Sequence, residues 1–407
     1  MSSLRSELER GIDRIPIRSI PLEELTRRRD GRRRRQRIAS AAVAALVVAA
    51  VALGAVAAVR SAGRDRTAAR PAIVARIPVG PSTNELAVGA DSIWTYSWRD
   101  GTVSRIDPES NTVVASIPVG DPKAFASIAV GERSAWVTVQ TGPGTSELLR
   151  IDLDTNRIDA RREAPTGTVA VGLGSVWVAG NSVGSRSIEY QYSGILVRID
   201  PDTLRTVSTY RIDPEPIDVE FSPGTAWVLN DWDQIIQRVD LATGSVSTAL
   251  DTYVVGELVP AGRNLWFLRC DLPDGPPPGK DLPLCHWGLD RMDTETEAVR
   301  HETLGLALTR ENTSTGFIDH HINFTVVAAS RGAVWALDTD YASQWADLDQ
   351  ATIDHGRLIR FDISTGQVDV FPIGGHAFDG GQSADGTLWI LDVDGEQVLR
   401  IQPGDLG

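Results

Sequence analysis

The chain has 407 residues, a net charge of −14, an apolar fraction of 42% and 11 tryptophans, but almost no lysine. That apolar share can fill a core, which excludes disorder as the state of the whole chain. The charge is split: residues 1–70 carry 16 Arg against 7 acids, a balance of +9, and the −23 left on residues 71–407 excludes nucleic-acid binding by that part.

The first element in chain order is Ile38 to Val59, 22 residues without a charge and preceded by TRRRDGRRRRQR, with eight Arg. As a helix it is about 33 Å long, enough for a hydrocarbon layer of about 30 Å. The Arg run sets the orientation: 1–37 is a cytoplasmic tail, 38–59 a transmembrane helix that contacts lipid, 60–71 a linker and 72–407 an extracytoplasmic domain. The long tail before the apolar stretch favours an uncleaved anchor over a secretory signal.

From residue 72 onward two marks alternate. A small residue followed by apolar-Trp-apolar occurs at Trp94, Trp136, Trp177, Trp227, Trp266, Trp335 and Trp389. Arg-apolar-Asp follows each at Arg105, Arg150, Arg198, Arg238, Arg291 and Arg360, with RIQ at Arg400 as the seventh. Each unit holds four short apolar segments divided by Gly, Asp and Asn turns, as in ELAVG, SIWTY, VSRID and VVASIPV. This pattern predicts a four-stranded antiparallel sheet, here with strands a to d from the axis outward. Seven such sheets bury their faces by closing into a ring, so the expected fold is all-β, a seven-bladed β-propeller. The chain ends after RIQ one strand short, and AIVARIPVG at Ala72 to Gly80 echoes VVASIPVG at Val113 to Gly120. The N-terminal strand is therefore expected to complete the last blade, which removes the open edge.

The series IPVG, LAVG, SIWTY and RIDPESNTVVASIPVG resembles the YVTN-type repeats of bacterial seven-bladed propellers, a group close to the virginiamycin B lyase-like propellers, over residues 72–403. The resemblance implies architecture. Propellers of this group include both enzymes and binding proteins, and the lyases use a His and acidic residues with a metal near the axis. No stretch of this chain matches a lyase motif closely enough to carry a residue over.

The spacing from repeat Trp to repeat Arg is 11 in blades one, four and seven, 14 in blade two, 21 in blade three and 25 in blades five and six. The extra length falls between strands b and c, and LALTRENTSTGFIDH adds more between blades five and six, so every insertion is expected on one face of the disc. The tryptophans outside the repeat, Trp98, Trp232, Trp287 and Trp345, map to b to c connections together with Tyr341. With Asp231 and Asp233 they form the expected ligand face, for a protein, peptide or glycan partner. His320, His321, His355 and His376, interleaved with Asp319, Asp338, Asp340, Asp354 and Asp379, are the candidates for a catalytic site. His320, His321, Asp338, Asp340 and His355 are also the candidate ligands of a divalent metal, although no spacing is diagnostic. Cys270 and Cys285 flank a Pro- and Gly-rich loop. Outside the membrane they are expected to pair, with two free thiols as the alternative, and a disulfide there would contribute roughly 3 kcal/mol. The functional expectation is a binding, scaffold or envelope-sensing module at the cell membrane, without a required cofactor. Its alternative is a lyase- or hydrolase-like enzyme with a His and carboxylate site over the mouth near blades five to seven.

Overall fold

The structure is a computed structural model that describes residues 70–404 except 143, 182–193, 231–233, 252–253, 272–285, 304–310, 314–315, 319, 331 and 343–355. At 255, 270–271, 286–287, 303, 311–324 and 338–342 the description covers the backbone where it is given, and not the side chains. The expected membrane span, 38–59, lies outside the described residues. Among those described, no helix is long and apolar enough to cross a membrane.

Seven four-stranded antiparallel sheets follow one another along the chain. Blade one runs Thr83–Val88, Ile93–Ser97, Thr102–Asp107 and Thr112–Pro118 from the axis outward. The last blade takes its inner three strands from the C-terminus, Ala377–Gln382, Leu388–Asp392 and Gln397–Gln402. Its outer strand is the N-terminal Ala72–Pro78, paired so that Ile73 faces Ile401 and Ile77 faces Val398. The backbone thus closes the ring as the repeat echo predicts.

The second strand of each blade carries the repeat tryptophan, and strand alternation sends its indole toward the next blade. Trp136 lies in one cluster with Val169, Val176 and Val178 of blade three, and Trp227 in one with Leu258, Leu265 and Phe267 of blade five. The series closes where Trp389 of blade seven packs with Leu86, Ile93 and Ile106 of blade one. All seven indoles are at most 1% exposed. Indole N–H groups find acceptors in the turn that precedes the strand, as in Trp177 to Gly172 O at 3.0 Å and Trp227 to Ser222 Oγ at 2.9 Å.

The repeat Arg sits directly across the ladder from the Trp, in the pairs Trp94 and Arg105, Trp177 and Arg198, and Trp389 and Arg400. Its guanidinium lies over the indole face, 5.3 Å from the ring centroid for Arg198 and for Arg400. From Arg105, Arg150, Arg238 and Arg400 the side chain also reaches the outer turn of the following blade, whereas Arg198 and Arg360 bond within their own blades. Arg150 donates to Pro201 O at 2.9 Å, and Arg400 donates to Pro108 O at 2.6 Å and Asn111 Oδ1 at 3.0 Å. The Asp of the same triplet caps the turn after its own strand, as Asp152 does by accepting from the Thr155 N–H at 2.8 Å. The Arg-apolar-Asp mark therefore has two structural duties, a clasp between blades and a turn.

Truncation of Trp389 to Ala removes the aromatic group at the closing interface, where the surrounding strands cannot collapse into the gap. We expect a loss of about 3–5 kcal/mol in urea unfolding. A loss below about 1 kcal/mol would show that the interface does not depend on the indole.

Candidate binding channel and loop face

The inner strands bring one position from every blade to the axis. It lies nine residues before the repeat Trp in blades one to five and ten before it in blades six and seven: Glu85, Ser127, Thr168, Asp218, Glu257, Thr325 and Asp379. At several of these positions the side chain bonds the inner strand of the next blade. Asp379 accepts from Leu86 N–H at 2.7 Å, Asp218 from Leu258 N–H at 2.7 Å, Ser127 Oγ from Val169 N–H at 3.3 Å, and Glu85 from Ile128 N–H. The two aspartates also take the N–H of their own following residues, Gly380 at 2.6 Å and Val219 at 2.7 Å. A short acid here satisfies backbone groups that inner strands cannot pair sideways.

All of these positions except Thr325 line an axial cavity of about 490 Å³. Five carboxylates line it: Glu85, Asp218, Glu220, Glu257 and Asp379. Glu220 joins them because it is two residues beyond Asp218 on the same strand, where the pleat returns to the same side. Glu257 is exposed to water, and because it lines the cavity the water it meets is that of the lumen. Among the described lining residues there is no Lys, Arg or His. Burial is the first cause that raises these acids. It lifts Glu85 to about 8, with the Asp379 charge adding to it, and lifts Asp218 and Asp379 to about 6 against their backbone hydrogen bonds. Glu220 and Glu257 stand well above the ordinary carboxylate range, through burial and then through the neighbouring acids.

The mouth on the side of the b to c and d to a connections has an apolar rim. Phe125 directly precedes the inner strand of blade two, and Ile217 and Phe378 are second residues of the inner strands of blades four and seven. They are 49%, 43% and 47% exposed. Trp98 stands on the same side at 42% exposure, in the turn after Ile93–Ser97. That turn is fixed: Gly101, with φ +62°, donates to Ser97 O at 3.0 Å, and Trp98 N–H donates to Ser82 O at 3.0 Å. A Cβ at Gly101 would meet Gly120 O, so the turn that projects Trp98 requires glycine.

Other residues singled out in the sequence fall elsewhere. Trp287 and Tyr341, expected in b to c connections, lie in strands, Trp287 in His286–Asp293 and Tyr341 in Ala333–Ala342. Asp338 and Asp340 are in that same strand, not in a loop. His320 and His321 open the inner strand His320–Ala329 and pair with Ala342 and Tyr341. In each case the hairpin continues past the repeat length, because added residues that alternate can extend a ladder. Blade two shows the same effect, its ladder running on to Gly142 and Thr145. His376 is placed before the inner strand of blade seven, its backbone N–H donating to Asp392 Oδ1 at 3.0 Å and its Nδ1 3.6 Å from Asp394. Asp231, Trp232, Asp233, Trp345, His355 and Cys285 lie outside the described residues, and Cys270 is the last residue but one of the strand Asn264–Asp271, described in its backbone only. Among the described residues, no group of three or more His, Cys, Asp or Glu could hold a metal ion.

The channel acids were not singled out in the sequence apart from Asp379, which drew attention as a neighbour of His376. A signal was present: an acid nine or ten residues before the repeat Trp in four blades. A carboxyl raised in the folded chain keeps its proton where the unfolded chain has lost it. The stability this contributes is complete at low pH and is lost as pH climbs, from about 4.5 to 8 for Glu85 and from about 4 to 6 for Asp218 and Asp379. The urea midpoint should therefore fall between pH 6 and pH 8.5, and Glu85→Gln should flatten that fall. An equal fall in the variant would remove Glu85 from the account.

No family model matches the sequence, and no curated protein matches it. The fold is similar to that of a chain of Kuenenia stuttgartiensis hydrazine synthase, with a TM-score of 0.56 and 11% identity over 79% of this chain and 96% of that one. It is also similar to the β-propeller domain of Cps50 (Swd1) from Myceliophteria thermophila, with a TM-score of 0.50 and 11% identity over 81% of this chain and 99% of that one. At such identities the likeness establishes the fold: the chain is an all-β, seven-bladed propeller of four-stranded blades.

Proposed function

We propose that this chain is a membrane-anchored binding module, with residues 1–37 in the cytoplasm, 38–59 across the membrane and the propeller outside, where its loop-bearing mouth takes a polypeptide partner. The observation that carries the binding reading is the apolar rim. Trp98, Phe125, Ile217 and Phe378 are large, at least 42% exposed, and gathered at one mouth of a disc whose other large aromatics are mostly buried. Exposed apolar groups gathered around a recess mark interaction surfaces, and aromatic anchors dominate their energetics. The presence of aliphatic Ile217 beside the rings favours side chains of a polypeptide over the flat face of a sugar. The Arg run and the apolar stretch after it support the anchor.

Two measurements test this. A reporter active only outside the cytoplasm, fused at residue 72, should be active, and the same reporter fused at residue 37 should be silent; activity at both positions would overturn the topology. Photo-crosslinking from position 125 in cells should capture one protein reproducibly, and the triple variant Trp98→Ala, Phe125→Ala and Phe378→Ala should weaken its binding at least tenfold. Binding unchanged in that variant, or capture of glycan alone, would overturn the polypeptide reading.

A further inference from the structure

We propose that residues 405–407 dock in a cavity at the seam between blades six and seven, with the Leu406 side chain as the anchor, so that the segment after the last strand stands in for an outer turn. This goes beyond the proposed function and depends neither on the membrane anchor nor on the partner at the rim.

The seam differs from the others because blade seven is assembled from the two ends of the domain. In each of blades one to six a turn joins strands c and d, and its fourth residue, at positive φ, donates its N–H to the carbonyl of the triplet Asp. Asn111 does so to Asp107 O at 2.9 Å and Leu204 to Asp200 O at 2.9 Å. Four of these turns also send an apolar side chain to the tryptophan of the preceding blade. Leu153 packs against the cluster of Trp94, Leu204 against that of Trp136, Leu241 against that of Trp177 and Ile363 against that of Trp266.

Blade seven has no such turn, since its strand d is Ala72–Pro78 and its strand c is Gln397–Gln402. Among the described residues no turn side chain joins the cluster of Trp335, and Arg360 bonds Asp362 and Asp369 of its own blade. A cavity of about 590 Å³ stands at that place, lined by Ser330, Trp335, Ala384, Asp385, Pro403 and Gly404 among others. At about 30 Å³ for each water it has room for about twenty, more than a packing fault leaves.

Reach and sequence select the occupant. Gly404 lines the cavity and Leu406 is two residues further on, so the two Cα atoms lie within about 7 Å of each other. Gln-Pro-Gly-Asp-Leu at 402–406 has the order of Asp-Pro-Asp-Thr-Leu at 200–204, which puts Leu406 at the position of Leu204. The backbone is not a copy of that turn: Gly404 has φ +84°, whereas its counterpart Asp202 has no positive φ. A glycine is therefore the pivot from which the segment leaves strand c. Leu406 is the apolar side chain of the three residues, and Trp335, Ala384 and Pro403 give it apolar surface to meet.

Disulfide mapping on the full-length protein in detergent tests the proposal. Under mild oxidation, a bond in the pair Ala384→Cys and Leu406→Cys is expected to form at least tenfold faster than one in the pair Val74→Cys and Leu406→Cys, each identified by peptide mass. Val74 is 53% exposed and two residues along the strand whose Ala72 pairs with Gln402, so an undocked segment would meet it as readily. Amide exchange gives a second readout: Leu406→Asp should speed exchange at 383–387, beside the cavity, at least fivefold and leave 172–175, the matching turn of blade three, unchanged. Equal rates in the two cysteine pairs, a 384–406 bond that joins two chains in a dimer, or exchange unchanged by Leu406→Asp would overturn the proposal.

Discussion

The burial of one indole between each pair of neighbouring blades is the contact on which the rest of the molecule depends. A lone four-stranded sheet leaves both faces wet, and seven sheets that share seven equivalent aromatic contacts leave none open. The equivalence makes the closure possible, because Trp389 meets blade one in the way Trp136 meets blade three. Once that interface is repeated around the ring, the spacing of the inner strands and the positions of the outer turns are no longer free.

Two belts follow from it. At the periphery, Arg stacked on the indole can reach the next outer turn, as Arg400 does, so the cation–π contact and the interblade hydrogen bonds come from one side chain. At the axis, the inner strands crowd together and expose backbone N–H groups, which Ser127, Asp218 and Asp379 satisfy across the blade boundary. Acids serve this role well as acceptors and poorly as neighbours of one another, since the lumen concentrates charge without a counter-charge. The raised pKa of Glu85, to about 8, is the cost of that arrangement. Glu220 and Glu257 add to the cost without contributing an interblade bond.

The loop face differs in kind. Insertions between strands b and c do not alter the indole interfaces, so they can lengthen, as in blade two, into a longer hairpin. The residues that rise above the mouth, Trp98 and Phe125 among them, are set by short rigid connections such as the turn at Gly101. The acids lie deeper, where strands fix them. A ligand entering from this side would meet apolar contacts first and charge afterwards.

The sequence by itself determined the blade count, the closing role of Ala72–Pro78 and the duty of each repeat tryptophan. Those features are periodic, and a period is visible without coordinates. It also marked Trp98 as a residue outside the repeat, and the structure keeps it exposed. The acidic lumen was decided only by the tertiary structure. Glu85, Asp218, Glu257 and Asp379 lie 39 to 294 residues apart and each reads locally as a polar residue in a strand. Their interaction arises when the ring closes and brings those positions to a common axis. Burial and mutual repulsion belong to that assembly, and no single repeat contains them.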